Sequence, residues 1–314
     1  METLINGLHH VTTLAGDTQQ NVNYYTTILG LRLVKKTVNF DAPDVYHLYY
    51  GNETGSPGTI LTFFPYGDLP RGRKGVGQLT YTAFSAPIAS LSFWMDRLHQ
   101  FHIPYAGPYK RFSGTETYLR FEDFDGMGIE LVFTNDDQRQ GWSNGLIPTE
   151  LAIRGFHTVT LNESNPDRTI KLLTEYMQHT LVSEEEGRFR FKAGVGGSGN
   201  FVDVLHSPKD VRALQGAGSV HHVAFSTDTD DNQLIIQEQL LTAGYHVTPV
   251  QDRNYFNSIY FREPGGILFE VATNPPGFSV DEPIAELGTA LKLPPQYEPR
   301  RAELEAELPK IELK

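Results

Sequence analysis

The sequence predicts an α+β protein built from four βαβββ modules that pair into two curved half-barrel domains. Four segments share one plan, in which a short strand is followed by a helical stretch and then by strands with Gly or Pro turns. The dipeptide His-His recurs near the start of the first and fourth segments. Because an open sheet covered by helices cannot close alone, such modules are expected to pair around a concave surface.

The first two modules follow this plan in order. Module one opens at Gly7–Leu14, has a helix over about Thr18–Leu29 that Gly30 ends, and continues in strands at Leu31–Asn39, Tyr46–Tyr50 and Thr59–Phe64. Module two opens near Gly77–Ala83, has a helix around Ile88–Phe101, and closes through Tyr118–Phe121 and Gly128–Thr134.

The last two modules repeat the plan after a polar link at Asp136–Thr149. Module three opens at Gly155–Leu161, has a helix over about Pro166–His179 and closes at Gly199–Leu205. Module four opens at Val220–Phe225, has a helix over about Asp230–Ala243 and closes with Ser258–Arg262 and Gly266–Ala272. We therefore expect modules one and two within residues 1–135, modules three and four within 150–278, and a tail at 279–314 with a short helix over Arg300–Leu308.

Composition excludes several classes of partner. The 314-residue chain has a formal net charge of −12 and no cysteine, which excludes disulfides and thiolate metal sites. Because no basic cluster interrupts this charge, we expect neither a nucleic acid nor a membrane partner. With no signal peptide and no apolar run of membrane-spanning length, a cytoplasmic protein is expected. The sequence leaves open whether the chain forms a homo-oligomer.

The two His-His pairs, at positions 9–10 and 221–222, occupy the same place in modules one and four. Because adjacent strand residues point to opposite faces, one histidine of each pair is expected to face the concave side, and the pattern does not say which. A histidine at a strand start is more often a core or surface residue. The repeated placement favours a metal site.

A glutamate in the closing strand of module four completes a candidate ligand set. Glu270 lies in an otherwise apolar stretch, where a carboxylate needs a partner such as a cation. Two imidazoles and one carboxylate form the facial triad of non-haem Fe²⁺ oxygenases. Aligning the Pro-Gly turns of modules one and four places Phe63 opposite Glu270, so the fourth position is predicted to be apolar and open.

Several stretches together resemble the vicinal oxygen chelate superfamily, which includes glyoxalases, extradiol ring-cleaving dioxygenases and drug-resistance proteins. The chain is similar, over nearly its whole length, to the branch of ring-cleaving dioxygenases that act on hydroquinones. The matching stretches are Leu8–Thr12, Leu29–Asn39, Tyr46–Tyr49, Pro57–Ile60, Val220–Ala224, Asp252–Phe256, Leu268–Glu270 and, in the tail, Leu293–Tyr297.

The resemblance implies that His10, His222 and Glu270 bind the metal, between modules one and four. It also implies an Fe²⁺-dependent dioxygenase that takes a small aromatic diol and O₂ and inserts both oxygen atoms. Mn²⁺ suits the same ligands. The positions that match residues near the ligands or the substrate pocket are His9, Thr12, His221, Arg253 and Tyr260.

These neighbouring residues have more than one reading. Tyr260 suits a hydrogen bond to a phenolate oxygen, and Arg253 suits an anionic substrate. An ion pair of Arg253 with Asp252 or another surface acid, and core packing of Tyr260, would explain them equally well. The imidazoles of His9 and His221 suit proton transfer near neutral pH.

Modules two and three are expected to lack a complete site. Aligning module three on module one places His157 over His9 and Thr158 over the ligand position. Asp203 then aligns with Glu270, without a histidine partner, and is interpreted as a structural or solvated carboxylate. In module two the aligned closing position is Val132, with Glu130 two residues earlier.

Two other functions remain open at this stage. A glyoxalase-type isomerase or transferase would use Zn²⁺ or Ni²⁺, without O₂ uptake, and would usually need a further carboxylate in the open position. A protein that binds planar aromatic toxins without chemistry would not need the two histidines and the glutamate.

Overall fold

The computed structural model describes residues 3–143 and 146–313, and its strands form two eight-stranded sheets. Sheet I combines modules one and four in the order β14-β15-β16-β13-β1-β4-β3-β2. Its strands are β1 (Gly7–Ala15), β2 (Arg32–Asn39), β3 (Ala42–Gly51), β4 (Ile60–Pro65), β13 (Val220–Thr227), β14 (Gln251–Asp252), β15 (Asn257–Arg262) and β16 (Leu268–Thr273).

Sheet II combines modules two and three in the order β10-β11-β12-β9-β5-β8-β7-β6. Its strands are β5 (Gln78–Ala86), β6 (Tyr105–Arg111), β7 (Glu116–Glu122), β8 (Gly128–Phe133), β9 (Gly155–Glu163), β10 (Thr180–Glu185), β11 (Arg188–Lys192) and β12 (Phe201–His206). The two curved half-barrels confirm the predicted fold class. Each sheet takes strands from both halves of the sequence, and the domain limits 1–135, 150–278 and 279–314 stay a prediction.

Each predicted helix is present. The helices are α1 (Thr18–Asn23), α2 (Leu91–Gln100), α3 (Asp167–Lys171), α4 (Asp230–Thr242) and α5 (Arg301–Glu307). Helices α1 and α3 continue as π-helical turns, at Tyr24–Ile28 and Leu172–Tyr176. Helix α1 begins where the Asp17 side chain accepts a hydrogen bond from the Gln20 backbone N–H at 2.7 Å. Among the described residues, no helix has the length and apolar character needed to cross a membrane.

A β-bulge accompanies each His-His pair. In the antiparallel pairing of β1 with β13, Leu8 and His10 have partners and His9 is passed over, and His221 is passed over in the same way. A bulge places an extra residue in one strand and re-aims its side chain. The expectation that adjacent histidines face opposite sides is therefore wrong, because each pair is in side-chain contact through its Nδ1 atoms.

Four strands were not predicted: β6, β10, β11 and β14. Three of them lie at sheet edges, where exposed residues and a proline weaken the alternating apolar pattern. Strand β11 does alternate, but its inward positions are Arg188 and Arg190, which form buried ion pairs with Asp203. Strand β11 was not predicted because its inward-facing residues are charged instead of apolar.

Candidate metal centre

Three ligand-type side chains from three neighbouring strands meet on one face of sheet I. His10 lies on β1, His222 on β13 and Glu270 on β16, and all three are buried. Glu270 Oε2 lies 3.3 Å from His10 Nε2 and 3.0 Å from His222 Nε2, and the two Nε2 atoms are 3.2 Å apart. The structure thus brings together the three residues that the resemblance implied as ligands.

His9 determines which nitrogen of His10 carries the hydrogen. The two Nδ1 atoms are 2.8 Å apart, so one of them donates to the other. The backbone carbonyl of Thr273 accepts a hydrogen bond from His9, and a neutral imidazole has a single N–H. His10 therefore donates from Nδ1, which leaves its Nε2 lone pair directed at Glu270.

The second pair has the same contact in a different setting. His221 Nδ1 lies 2.8 Å from His222 Nδ1, while His222 Nε2 faces Glu270. A metal bound at His222 Nε2 would require the His222 hydrogen on Nδ1, and His221 would then carry its own hydrogen on Nε2. Burial, together with the adjacent ligand imidazole, lowers the pKa of His9 to about 3 and that of His221 to about 3. Both rings are therefore neutral at pH 7.

The environment of Glu270 fits a bound cation. Its Oε1 accepts a hydrogen bond from the Ser258 hydroxyl, whereas the buried Oε2 has no hydrogen-bond partner among the described residues. Burial opposes the charge, whereas His10 and His222, in their cationic forms, hold the pKa of this carboxyl well below its usual range. With neutral imidazoles, an ionised oxygen and two lone pairs this close repel one another unless a cation, either a proton or a metal ion, lies between them. Two nitrogens and one oxygen suit a divalent transition metal.

A cavity of about 400 Å³ opens beside these ligands. His221, Arg253 and Tyr260 line it, as do His10 and His222. Arg253 Nε donates to the Tyr260 hydroxyl at 3.1 Å. Arg253 also donates to the Gln251 side chain at 2.6 Å and lies 3.8 Å from an Asp41 carboxylate oxygen.

Two of the expected pocket residues lie outside the cavity lining. His9 is behind His10, with its ring centroid 5.0 Å from that of Phe256. Thr12 is fully buried, and its hydroxyl contacts the Thr62 hydroxyl at 2.8 Å.

Several residues of the cavity wall were not predicted from the sequence. Cavity-lining residues not proposed from the sequence include Asn39, Phe40, His47, Tyr49, Phe64, Tyr66 and Phe256. One signal was available: His47 and Tyr49 are two apart on β3 and therefore share a face. Their polar groups are in contact, at 2.8 Å.

Strand register identifies the repeat counterpart of Glu270. Across one half of sheet I, paired residues run Tyr260, Glu270, Ala224 and His10. Across the other half they run Tyr49, Thr62, Thr12 and His222. Thr62 therefore occupies the position opposite Glu270. The prediction of Phe63 is wrong by one residue, because the Pro-Gly turns before β4 and β16 are not equivalent, and Phe63 packs in the core.

Sheet II keeps the same two rows with different residues. Its rows are Arg120, Glu130, Ala83 and Thr158, and Arg190, Asp203, Thr160 and Tyr81. The counterpart of Glu270 in module two is thus Glu130, and the alignment with Val132 is wrong.

Guanidinium groups replace the metal-binding chemistry in sheet II. Arg111 and Arg120 each donate to Glu130 at 2.7 Å, and Arg190 Nε donates to Asp203 at 2.7 Å. Asp203 is fully buried and paired, so of the two expectations for it the structural one holds.

Comparison with known proteins shows the family to which the chain is similar. The profile of the Glyoxalase/Bleomycin resistance protein/Dioxygenase superfamily matches residues 7–131 and 155–271. The "Putative ring-cleaving dioxygenase MhqO" of Bacillus subtilis is 44% identical over 308 residues, covering 98% of this chain and 97% of that protein. The "Chlorohydroquinone/hydroquinone 1,2-dioxygenase" of Sphingobium indicum is 36% identical over 314 residues, covering 96% and 95%.

Solved structures agree on the architecture. A crystal structure described as a "putative dioxygenase" from Bacillus subtilis superposes with a TM-score of 0.95 at 43% identity, covering 100% of this chain and 99% of the other. Glyoxalase I from Zea mays superposes with a TM-score of 0.65 at 13% identity, covering 85% and 92%, which supports the fold alone.

Proposed function

The chain belongs to the Glyoxalase/Bleomycin resistance protein/Dioxygenase superfamily and, within it, to the ring-cleaving dioxygenases, and we propose that it cleaves hydroquinone-like aromatic diols with Fe²⁺ and O₂. The observation that carries the proposal is the unpartnered Glu270 Oε2 beside two imidazole Nε2 atoms at the end of a 400 Å³ cavity. Cavities of this size take small organic ligands. The name of the Sphingobium relative supports a hydroquinone.

His10, His222 and Glu270 would hold the metal and leave its other positions to non-protein ligands. When bound, Fe²⁺ supplies the Lewis acidity and the one-electron chemistry that joins an aromatic diol to O₂. Mn²⁺ suits the same donors. His9 and His221 orient the two ligand imidazoles through their Nδ1 contacts, as residues behind metal-binding histidines commonly do.

The cavity residues complete the proposed site. Arg253 carries a permanent positive charge at the cavity wall and favours the ionised form of a phenolic substrate. Its hydrogen bond fixes the Tyr260 hydroxyl at 3.1 Å, beside the cavity, where that hydroxyl can bind a substrate oxygen. His221 also lines the cavity, so an N–H on its Nε2 would lie near a bound substrate.

The proposal is tested by O₂ consumption. Protein reconstituted anaerobically with Fe²⁺ is expected to consume O₂ with hydroquinone, a chlorohydroquinone or catechol, and mass spectrometry with ¹⁸O₂ should find both atoms in a ring-opened product. His222→Ala should abolish both signals. His179→Ala is the matched control, because His179 is buried and bonds to the Met177 carbonyl outside the cavity lining. Stoichiometric metal binding without O₂ uptake would contradict the dioxygenase and favour the isomerase alternative.

A further inference from the structure

A hydrogen-bonded chain of four side chains lies on the Thr62 side of the metal centre. The Tyr49 hydroxyl contacts His47 Nδ1 at 2.8 Å, and His47 Nε2 contacts the Thr62 hydroxyl at 2.9 Å. The Thr62 hydroxyl contacts the Thr12 hydroxyl at 2.8 Å. All four residues are buried. None of these four hydrogen-bonded side chains has a role in the proposed dioxygenase site.

The four hydrogen-bonded side chains carry more polar hydrogens than there are hydrogen bonds between them. Burial, and the nearby His10 and His222, hold the pKa of His47 well below its usual range, so its ring is neutral and has one N–H. Three hydroxyls and one imidazole carry one hydrogen each, but only three contacts link them. Among the described residues these side chains have no further hydrogen-bond acceptor, so one buried hydrogen is left for a group outside the protein.

The orientation of the chain decides where that hydrogen is. If Tyr49 donates to His47 Nδ1, then His47 donates from Nε2 to Thr62. The spare hydrogen then lies on Thr12 if Thr62 donates to Thr12, and on Thr62 if Thr12 donates to the second lone pair of Thr62. In the second arrangement the spare hydrogen is the one nearer the metal centre. Thr62 then accepts two hydrogen bonds and keeps its own hydrogen. The reverse orientation would leave the spare hydrogen on Tyr49. An anionic oxygen at the metal would attract it to Thr62, since strand register places Thr62 opposite Glu270.

Like Glu270, Thr62 is fully buried and outside the cavity lining, so its hydroxyl would meet only a substrate oxygen bound at the metal itself. Thr62 and Glu270 occupy equivalent positions in the two rows that surround the ligands. A glutamate carries its oxygens two atoms further from the backbone than a threonine does. Where Glu270 would reach a metal directly, the shorter Thr62 would leave space for a substrate oxygen between its hydroxyl and the metal.

We propose that Thr62 is the fourth corner of the metal site, where its hydroxyl donates a hydrogen bond to the phenolic oxygen of the bound diol. His47 and Tyr49 are positioning residues that hold the Thr62 hydroxyl in the donating orientation. This inference rests on the proposed function for the metal and the diol. Beyond that function, it assigns Thr62 to the position where a second carboxylate could bind the metal, so that this coordination position stays free for the substrate.

The first test uses Co²⁺, whose visible absorption reports its coordination. Thr62→Glu places a carboxylate in the fourth corner and should raise the Co²⁺ affinity by on the order of tenfold, since ligand charge and number set the affinity of such sites. Thr62→Gln is the control, because it fills the same position of β4 with a side chain of the same length and no charge. It should leave the Co²⁺ affinity near that of the wild type. Equal changes of Co²⁺ affinity in both variants would refute the placement of Thr62 beside the metal.

The second test removes only the hydroxyl. Thr62→Val should leave Co²⁺ affinity unchanged but weaken binding of 4-nitrocatechol to the Co²⁺ protein by on the order of tenfold, the effect of one hydrogen bond. Thr62→Ser should restore that binding. If the wild type binds no stoichiometric Co²⁺, the proposed metal site itself fails. If the wild type binds Co²⁺ and the diol, and Thr62→Val binds the diol equally well, the role of Thr62 alone is overturned.

Discussion

Replacing Glu270 by glutamine is expected to stabilise the metal-free protein while destroying its response to metal. In the metal-free state at pH 8, Glu270 Oε2 is a buried, ionised oxygen without a hydrogen-bond donor. An unsatisfied buried polar group costs about 1–3 kcal/mol. The glutamine amide can donate to the Nε2 atoms of His10 or His222, now 3.3 and 3.0 Å from Oε2, and its carbonyl can keep the Ser258 hydrogen bond.

We therefore expect the free energy of unfolding of metal-free Glu270→Gln to exceed that of the metal-free wild type by about 1–3 kcal/mol. Urea unfolding at pH 8 after chelation measures the difference. Adding Co²⁺ at a hundredfold excess over its dissociation constant should stabilise the wild type by about 2.7 kcal/mol and leave the variant unchanged. A metal-free variant less stable than the metal-free wild type would refute the view that these three atoms repel one another.

The same substitution at the equivalent position of sheet II should have the opposite sign. Glu130 accepts hydrogen bonds from Arg111 and Arg120 and is fully buried. Glu130→Gln removes the charge that these guanidiniums require, and breaking a buried ion pair costs about 3–5 kcal/mol. Destabilisation of both variants by similar amounts would show that loss of any buried carboxylate explains the result, and not the repulsion at the metal centre.

Three further outcomes are expected. Burial, opposed by the Tyr25 hydrogen bond, raises the pKa of Asp123 to about 6, so the folded state takes up a proton that the unfolded chain, with a pKa near 3.9, does not. The free energy of unfolding should rise as pH falls from 7.5 to 5, by at most about 1.4 kcal/mol per pH unit, and Asp123→Asn should flatten this slope in urea titrations. Arg253→Met should lower kcat/KM for a hydroquinone about ten- to a hundredfold through the loss of a charge-assisted hydrogen bond, and Arg253→Lys should recover part of it. His9→Ala and His221→Ala should each weaken Co²⁺ binding about ten- to a hundredfold in competition titrations, and unchanged affinities would contradict their orienting role.

The repeats, the helices and the two His-His positions could be predicted from the sequence because each has a local signal, whereas the choice of His10 and His222 as ligands came from the family resemblance. Gly30 and the helical spacing before it mark α1, and the His-His pairs mark equivalent strands. The bulges at these pairs could not be predicted, since they depend on pairing between β1 and β13, which are far apart in the chain. Side chains alternate along a strand, so an error of one residue exchanges the core face for the site face. That single shift is why Phe63 was aligned with Glu270.

The two sheets differ in how the protein can balance the charge of their buried carboxylates. Both place two rows of equivalent residues around one centre, and both bury carboxylates there. In sheet II, Arg120 and Arg190 stand where sheet I has tyrosines, so the protein supplies its own positive charge and the centre is closed. In sheet I the histidines offer lone pairs and no permanent charge, which is the arrangement that suits a metal beside the carboxylate. Histidines introduced at Thr158 and Tyr81 would therefore not create a second metal site while the two arginines remained, because their guanidiniums already hold the carboxylate oxygens that a metal would need.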